Sequence, residues 1–240
     1  MINLQHEELR LSAMRRYLNF GFEKEKNLKD IVMLTSQLLE SPVSLITLID
    51  RDIQYIISNH GIEIDQMPRE TSFCTHAIMQ DDIMVVEDAR KDSRFAQAPL
   101  VVYNPHVRFY TGMSLKSKDG LNVGTLCVFD NKPKVPSNVQ LDCLKALTNQ
   151  VANIMELNMS LEMLNKSVTA IEEQNKALRK IAYVQSHEVR APLCNALGIM
   201  DMIKTEDYRT SKEDLDMMDY ALRTLDEKIH SIVSSTTVIN

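Results

Sequence analysis

The spacing of apolar positions changes character three times along the chain. Over residues 3–19, Leu4, Leu11, Met14 and Leu18 fall on one helical face. Over 24–40, Leu28, Ile31, Val32, Leu38 and Leu39 repeat the pattern until Ser41-Pro42 stops it. Then come β-branched runs. Residues 43–49 and 53–58, parted by Asp50-Arg51-Asp52, read as a hairpin. Residues 73–79 read as a short helix, 83–86 as a short strand, and 92–103 as a loop with one helical turn. Three more strands are expected over 107–110, 113–116 and 122–129, the last two joined through Asp119-Gly120. From Asn138 the helical period returns. Every proline but Pro192 lies between residues 42 and 136, and neither glycine nor proline occurs from 137 to 191. The expected architecture is therefore α+β: an antiparallel sheet flanked by helices, then a long helix, then a helical hairpin.

Within the long helix the period sharpens to heptads. Ile154, Leu157, Leu161, Leu164, Val168, Ile171, Leu178 and Ala182 are spaced alternately by three and four, with Asn175 and Gln185 in the remaining inner places. A seam sustained for more than four heptads favours a coiled coil over a lone amphipathic helix, and one inner Asn commonly fixes register and oligomer state. Continuing the count puts Val189 on the seam and His187 on the outer, solvent-facing side. After the proline, Leu193, Leu197, Met200 and Ile203 continue the helix to about Lys204, and residues 205–211 read as a turn. Residues 212–236 then form a second amphipathic helix, with Leu215, Met218, Ala221 or Leu222, Leu225, Ile229, Ile232 and Val233 expected inward. Two helices of this length cannot bury both stripes alone, whereas a dimeric four-helix bundle can.

Charge and composition narrow the partners. A net charge of −6 argues against nucleic acid or an anionic membrane as the main partner. At 44% hydrophobic the chain can build a core. No apolar run is long enough for a membrane span, and the expected location is the cytoplasm. Cys74, Cys127, Cys143 and Cys194 are scattered without a CxxC pair, so free thiols are expected, with no disulfide and no metal site.

The stretch His187-Glu188-Val189-Arg190-Ala191-Pro192-Leu193 carries chemistry. A neutral imidazole is a good nucleophile near neutral pH. An adjacent carboxylate suits the role of orienting it and taking its proton. Proline removes a backbone donor and should bend the helix one turn beyond the histidine. The stretch resembles the phosphoacceptor box of sensor histidine kinases, in the dimerisation and phosphotransfer (HisKA, or DHp) domain. The resemblance implies that His187 attacks the γ-phosphate of ATP, with Mg²⁺ neutralising charge, and passes the phosphoryl group to an Asp of a response-regulator receiver domain. It gives Glu188 the orienting, basic role, Arg190 a phosphate contact, and Pro192 the kink. Many relatives have Thr or Asn four residues after the histidine. This chain has Ala191, which predicts weak phosphatase activity. His230 lacks a neighbouring carboxylate and proline and is expected to be non-catalytic.

Upstream, four stretches resemble a GAF sensor domain in their order and spacing. They are Thr71-Ser72-Phe73-Cys74-Thr75-His76-Ala77-Ile78, Glu87-Asp88-Ala89-Arg90-Lys91-Asp92-Ser93-Arg94-Phe95, Val107-Arg108-Phe109-Tyr110-Thr111-Gly112, and residues 119–130 ending in Leu126-Cys127-Val128-Phe129-Asp130. The resemblance implies a small-molecule or protein signal without naming a ligand. Some GAF domains hold a bilin, haem or cyclic nucleotide, but the residues flanking Cys74 and His76 are not those of bilin binders, and structural packing is the expectation. Arg94 and Arg108 suit either an anion or salt bridges that cap the long loop.

The domain reading is an N-terminal helix (1–21), a GAF domain (22–157), a coiled-coil signalling helix (158–182) and a phosphoacceptor hairpin (183–240). No G-x-G of an ATP-binding domain occurs, so ATP and Mg²⁺ are expected in a kinase domain outside this chain, acting in cis or in trans. By itself the chain should be inactive and homodimeric, a fragment of a protein-histidine kinase. Alternatives are a non-catalytic dimeric GAF assembly module and a stand-alone phosphotransfer protein.

Overall fold

Neighbouring residues along the strands feed two different apolar layers, because successive side chains leave a strand on opposite faces. Leu45, Ile49, Ile56, Tyr110 and Cys127 enter one layer; Ile46, Leu48, Ile57, Phe109, Leu126 and Val128 enter the other. In this computed structural model, which describes residues 4–22, 26–205 and 209–237, the strands are β1 (Val43–Ile49), β2 (Ile53–His60), β3 (Gln66–Pro68), β4 (Met84–Val86), β5 (Phe109–Lys116) and β6 (Asn122–Asp130). They form one antiparallel sheet in the order β3-β2-β1-β6-β5-β4. The helices are α1 (Leu4–Phe20), α2 (Lys26–Leu38), α3 (Phe73–Ala77), α4 (Pro99–Val102), α5 (Asn138–Thr205) and α6 (Lys212–Thr237).

Two compact units result, residues 1–163 and 164–240. In the first, α1, α2 and the opening of α5 supply Met14, Tyr17, Leu28, Val32, Leu144, Val151 and Met155 to one face of the sheet. α3 and the loop carrying Phe95 and Val101 cover the other face. The α+β expectation, with an antiparallel sheet flanked by helices, matches this unit. The N-terminal helix is part of its core.

Two strand assignments change. The expected strands 107–110 and 113–116 are one strand, β5, whose side chains are buried from Phe109 to Leu115. Burial on both faces removes the alternation that marks a half-exposed strand. β3, three residues ending in Pro68, was not expected. The two glycines that matter most lie where backbones touch. A Cβ at Gly124 would overlap the Thr47 carbonyl on β1, and one at Gly61 would overlap that of Pro42.

The helix starts are chemically marked. Ser137 and Gln140 cap α5 reciprocally, Ser137 N donating to Gln140 Oε1 at 2.9 Å and Gln140 N to Ser137 Oγ at 3.3 Å. Ser211 and Asp214 do the same for α6, at 2.8 and 3.1 Å. Parts of the helix expected over 24–40 and of the turn over 205–211 lie outside the described residues.

Candidate functional site

α5 carries the histidine segment, and the helix runs on through Pro192 to Thr205. His187, Glu188 and Arg190 are exposed, Val189 is half-buried and Pro192 is buried. Tyr183 lies one turn before His187, with ring centroids 5.4 Å apart. Glu188 Oε2 lies 3.7 Å from Lys228 Nζ on α6. Adjacent residues on a helix point in different directions, and among the described residues no hydrogen bond joins Glu188 to His187. So the segment presents an open imidazole against a tyrosine ring, with a carboxylate paired to the second helix. His230 Nδ1 donates to the Asp226 carbonyl, 3.0 Å away, within its own helix.

The hairpin of α5 and α6 buries one stripe. Pro192, Ala196 and Ile203 on α5 and Ala221 on α6 are buried, with Val189, Ile199, Met218, Leu225 and Ile232 half-buried. Of the expected inward set on α6, Ala221, Met218, Leu225 and Ile232 are thus at least half covered within the chain. Leu215, Leu222 and Ile229, seven residues apart, are 55%, 51% and 43% exposed, and Val233 lies outside the described side chains. Leu193, Leu197 and Met200 on α5 are exposed too. A lone pair of helices offers one inner face, so a second apolar stripe stays uncovered. The heptad residues Leu161, Leu164, Val168, Ile171 and Leu178 are likewise exposed.

In the first unit, the layer under α3 is aromatic with a polar thread. Phe73 stacks on Phe95 at 4.2 Å and on Tyr110 at 5.3 Å, and meets Phe129 edge-on at 5.9 Å. His76 packs edge-on against Phe95 at 4.9 Å. Burial, then the Arg94 charge, push its imidazole below the usual range. Arg94 pairs with Asp92 at 2.7 Å and lies 5.0 Å from the Phe95 ring. Arg108 donates to the carbonyls of Val101 and Val107, both at 2.9 Å. Both arginines thus serve the loop they sit in.

Beneath Phe73 the thread begins at Gln54, which accepts from Ser72 Oγ; Ser72 in turn caps Cys74 N at 3.0 Å. Cys74 Sγ lies 3.6 Å from Cys127 Sγ and 3.6 Å from the Tyr110 hydroxyl that donates to it. Thr47 and Thr125 hydroxyls meet beside them at 2.9 Å. Burial opposes ionisation of Cys74, but the hydrogen bonds it receives from Cys127, Thr125, Tyr110 and Ser72 outweigh burial and lower its pKa. The same burial and the neighbouring sulfur push Cys127 up.

One carboxylate joins three parts of this unit. Glu156, near the end of its share of α5, accepts from the Tyr17 hydroxyl of α1 and, at 2.7 Å, from the Lys118 amide of the β5–β6 turn. Sequence reasoning missed Glu156, Tyr17, Tyr110, Tyr183 and Lys228. Only spatial proximity marks them, apart from Tyr183, whose place four residues before His187 was a visible signal.

No protein-family model matches the chain. A 108-residue stretch is 37% identical to the cyclic di-GMP phosphodiesterase PA2567 of Pseudomonas aeruginosa. The stretch is 45% of this chain and 18% of that protein's length. Similar solved structures include the GAF domain region of a putative membrane protein of Geobacter sulfurreducens, 17% identical, covering 60% of this chain and 97% of that one, with a TM-score of 0.47. A domain of a putative two-component sensor histidine kinase of Sinorhizobium meliloti is 11% identical over the same shares, with a TM-score of 0.46. Among the described residues no helix is long and apolar enough to cross a membrane.

Proposed function

We propose that this chain is the sensor and phosphoacceptor part of a two-component signalling protein. Its first unit is a GAF sensor and its second a dimerising hairpin whose His187 takes phosphate from ATP held on a kinase domain, in cis or in trans. The observation that carries the reading is the exposed imidazole of His187, with Glu188 next to it and Arg190 two residues further on, on a helix that carries an apolar stripe left uncovered among the described residues. The exposed rows Leu193, Leu197 and Met200 and Leu215, Leu222 and Ile229 suit a second copy, which would close a four-helix bundle. His187 would attack the γ-phosphate in line, Glu188 would leave Lys228 to take the imidazole proton, and Arg190 would meet the phosphoryl oxygens. Catalysis of this kind is mostly positioning and charge neutralisation. The phosphoryl group then passes to a receiver-domain Asp.

The test is labelling from γ-labelled ATP with a histidine kinase catalytic domain supplied in trans. Acid-labile label on His187, lost in His187→Gln, supports the reading; equal label in that variant removes it. A second reading, a dimeric GAF module with no phosphoacceptor role, is favoured by the 37% identity of one stretch to part of a phosphodiesterase. Sensor units of this kind would then serve different outputs.

A further inference from the structure

Cys74 and Cys127 come from elements far apart in the chain and meet side by side. Cys74 lies in the first turn of α3; Cys127 lies in β6, which is hydrogen-bonded to β1 on one edge and β5 on the other. Both residues are fully buried, and their sulfurs are 3.6 Å apart. A disulfide holds its sulfurs about 2.05 Å apart, so closure asks for an approach of about 1.5 Å. The side that can give is α3, a single turn of five residues. It is tied down by side chains: Ser72 Oγ on Cys74 N, Thr75 Oγ1 donating to the Arg69 carbonyl at 2.7 Å, and Asn122 Nδ2 donating to the Ile78 carbonyl at 3.0 Å. The Tyr110 hydroxyl sits where it can stabilise a developing Cys74 thiolate. It is there because residue 112 is glycine; a Cβ at that position would overlap the hydroxyl and press on Cys127 Cβ.

We propose that Cys74 and Cys127 are a peroxide-responsive dithiol that closes reversibly to a disulfide. The Cys74 thiolate attacks one oxygen of hydrogen peroxide, the O–O bond breaks, and hydroxide leaves and takes up the proton Cys74 had lost. This makes a sulfenic acid on Cys74. The Cys127 sulfur then attacks that sulfur; the S–S bond forms, the S–O bond breaks, and the second hydroxide leaves as water with the Cys127 proton. Two thiols give up two protons and two electrons, and the peroxide becomes two waters. Peroxide is small and uncharged and enters by brief opening of α3, a single turn of five residues. A small-molecule thiol reverses the step by exchange. Closure draws α3 onto β6 and so couples the sensor unit to the redox state of its surroundings. Nothing in this depends on His187.

The experiment starts from fully reduced protein, adds hydrogen peroxide, blocks remaining thiols by alkylation, and maps peptides without reduction. A cross-linked pair of peptides containing Cys74 and Cys127 is expected, lighter than the sum of the two by two hydrogens and abolished by dithiothreitol. Cys143 is half-buried and Cys194 exposed, so these are the competing targets. The double variant Cys143→Ser, Cys194→Ser leaves the core untouched and must keep the cross-link. Cys74→Ser or Cys127→Ser must lose it. Free Cys74 and Cys127 in peroxide-treated protein whose Cys194 is oxidised would overturn the proposal. So would a Cys74 linked to Cys143 or Cys194 instead.

Discussion

Arg69 Nη1 lies 2.7 Å from Glu7 Oε1, joining residues separated by 62 positions. Arg10, nearly buried, holds the same carboxylate at 2.8 Å and also donates to the Ile49 carbonyl at 2.7 Å. Burial alone would raise the Glu7 pKa; the hydrogen bonds and charges of Arg10 and Arg69 overcome it and bring it down to about 2. A carboxylate with a depressed folded pKa stabilises the fold above its unfolded value of 4.5, and that stabilisation drains away as pH falls towards 2. The expected outcome is a wild-type melting temperature that falls on acidification from pH 5 to pH 3, with Glu7→Gln responding less. At neutral pH the variant should be less stable by about 2 kcal/mol, after allowance for partial exposure. Equal acid sensitivity of the two proteins would count against the clamp.

Glu156 is expected to matter through its hydrogen bonds, to Tyr17 and to the Lys118 amide. Tyr17→Phe should cost about 1 kcal/mol, and Glu156→Ala about 1–3 kcal/mol because it strands a buried hydroxyl. Urea unfolding of the first unit's signal measures both. Equal losses would mean that the carboxylate contributes nothing beyond the one bond.

Gly124→Ala should be poorly tolerated, since the new methyl meets the Thr47 carbonyl in the middle of the sheet. A loss of about 3 kcal/mol, or failure to fold, is expected. Thermal unfolding close to wild type would show that β1 and β6 can separate there at little cost.

The uncovered helix stripes predict dimerisation. Sedimentation should give twice the chain mass, with Ile171→Asp and Leu222→Asp each shifting the equilibrium towards monomer. Asn175→Leu should raise stability and loosen the choice of oligomer state, as removal of a polar inner residue does in coiled coils. Monomeric wild-type protein at high concentration would defeat the dimer.

Ala191→Thr should raise dephosphorylation of a phosphorylated receiver partner, since it restores a hydroxyl that can hold water one turn after His187. Strong phosphatase activity already present in the unaltered chain would remove that expectation.

How much of this was legible depended on which face a residue shows. β1, β2 and β6 announced themselves through β-branched runs, and His187 through its neighbours in the chain. β5 read as two strands because Thr111-Gly112 interrupts its apolar run; the glycine is there to clear the Tyr110 hydroxyl, a fact only the fold contains. β3 was invisible at three residues with a terminal proline. The amphipathic pattern found the apolar residues of α6 but not which of them the hairpin covers, because a covered and an uncovered apolar stripe look alike in sequence. No sequence pattern marks Glu7, Arg10 and Arg69, because their meeting rests on contacts between distant segments. Cys74 and Cys127 were legible as buried thiols but not as neighbours.

Both outermost strands of the sheet, Gln66–Pro68 and Met84–Val86, are only three residues long, and one of them ends in proline. Such a margin offers a passing chain hardly any backbone ladder to extend. Fibre-like stacking through the sheet is thereby discouraged, even though the neighbouring strands are long and strongly apolar. The dimerisation predicted above is then left to the helices, where a polar inner residue can dictate how many copies assemble.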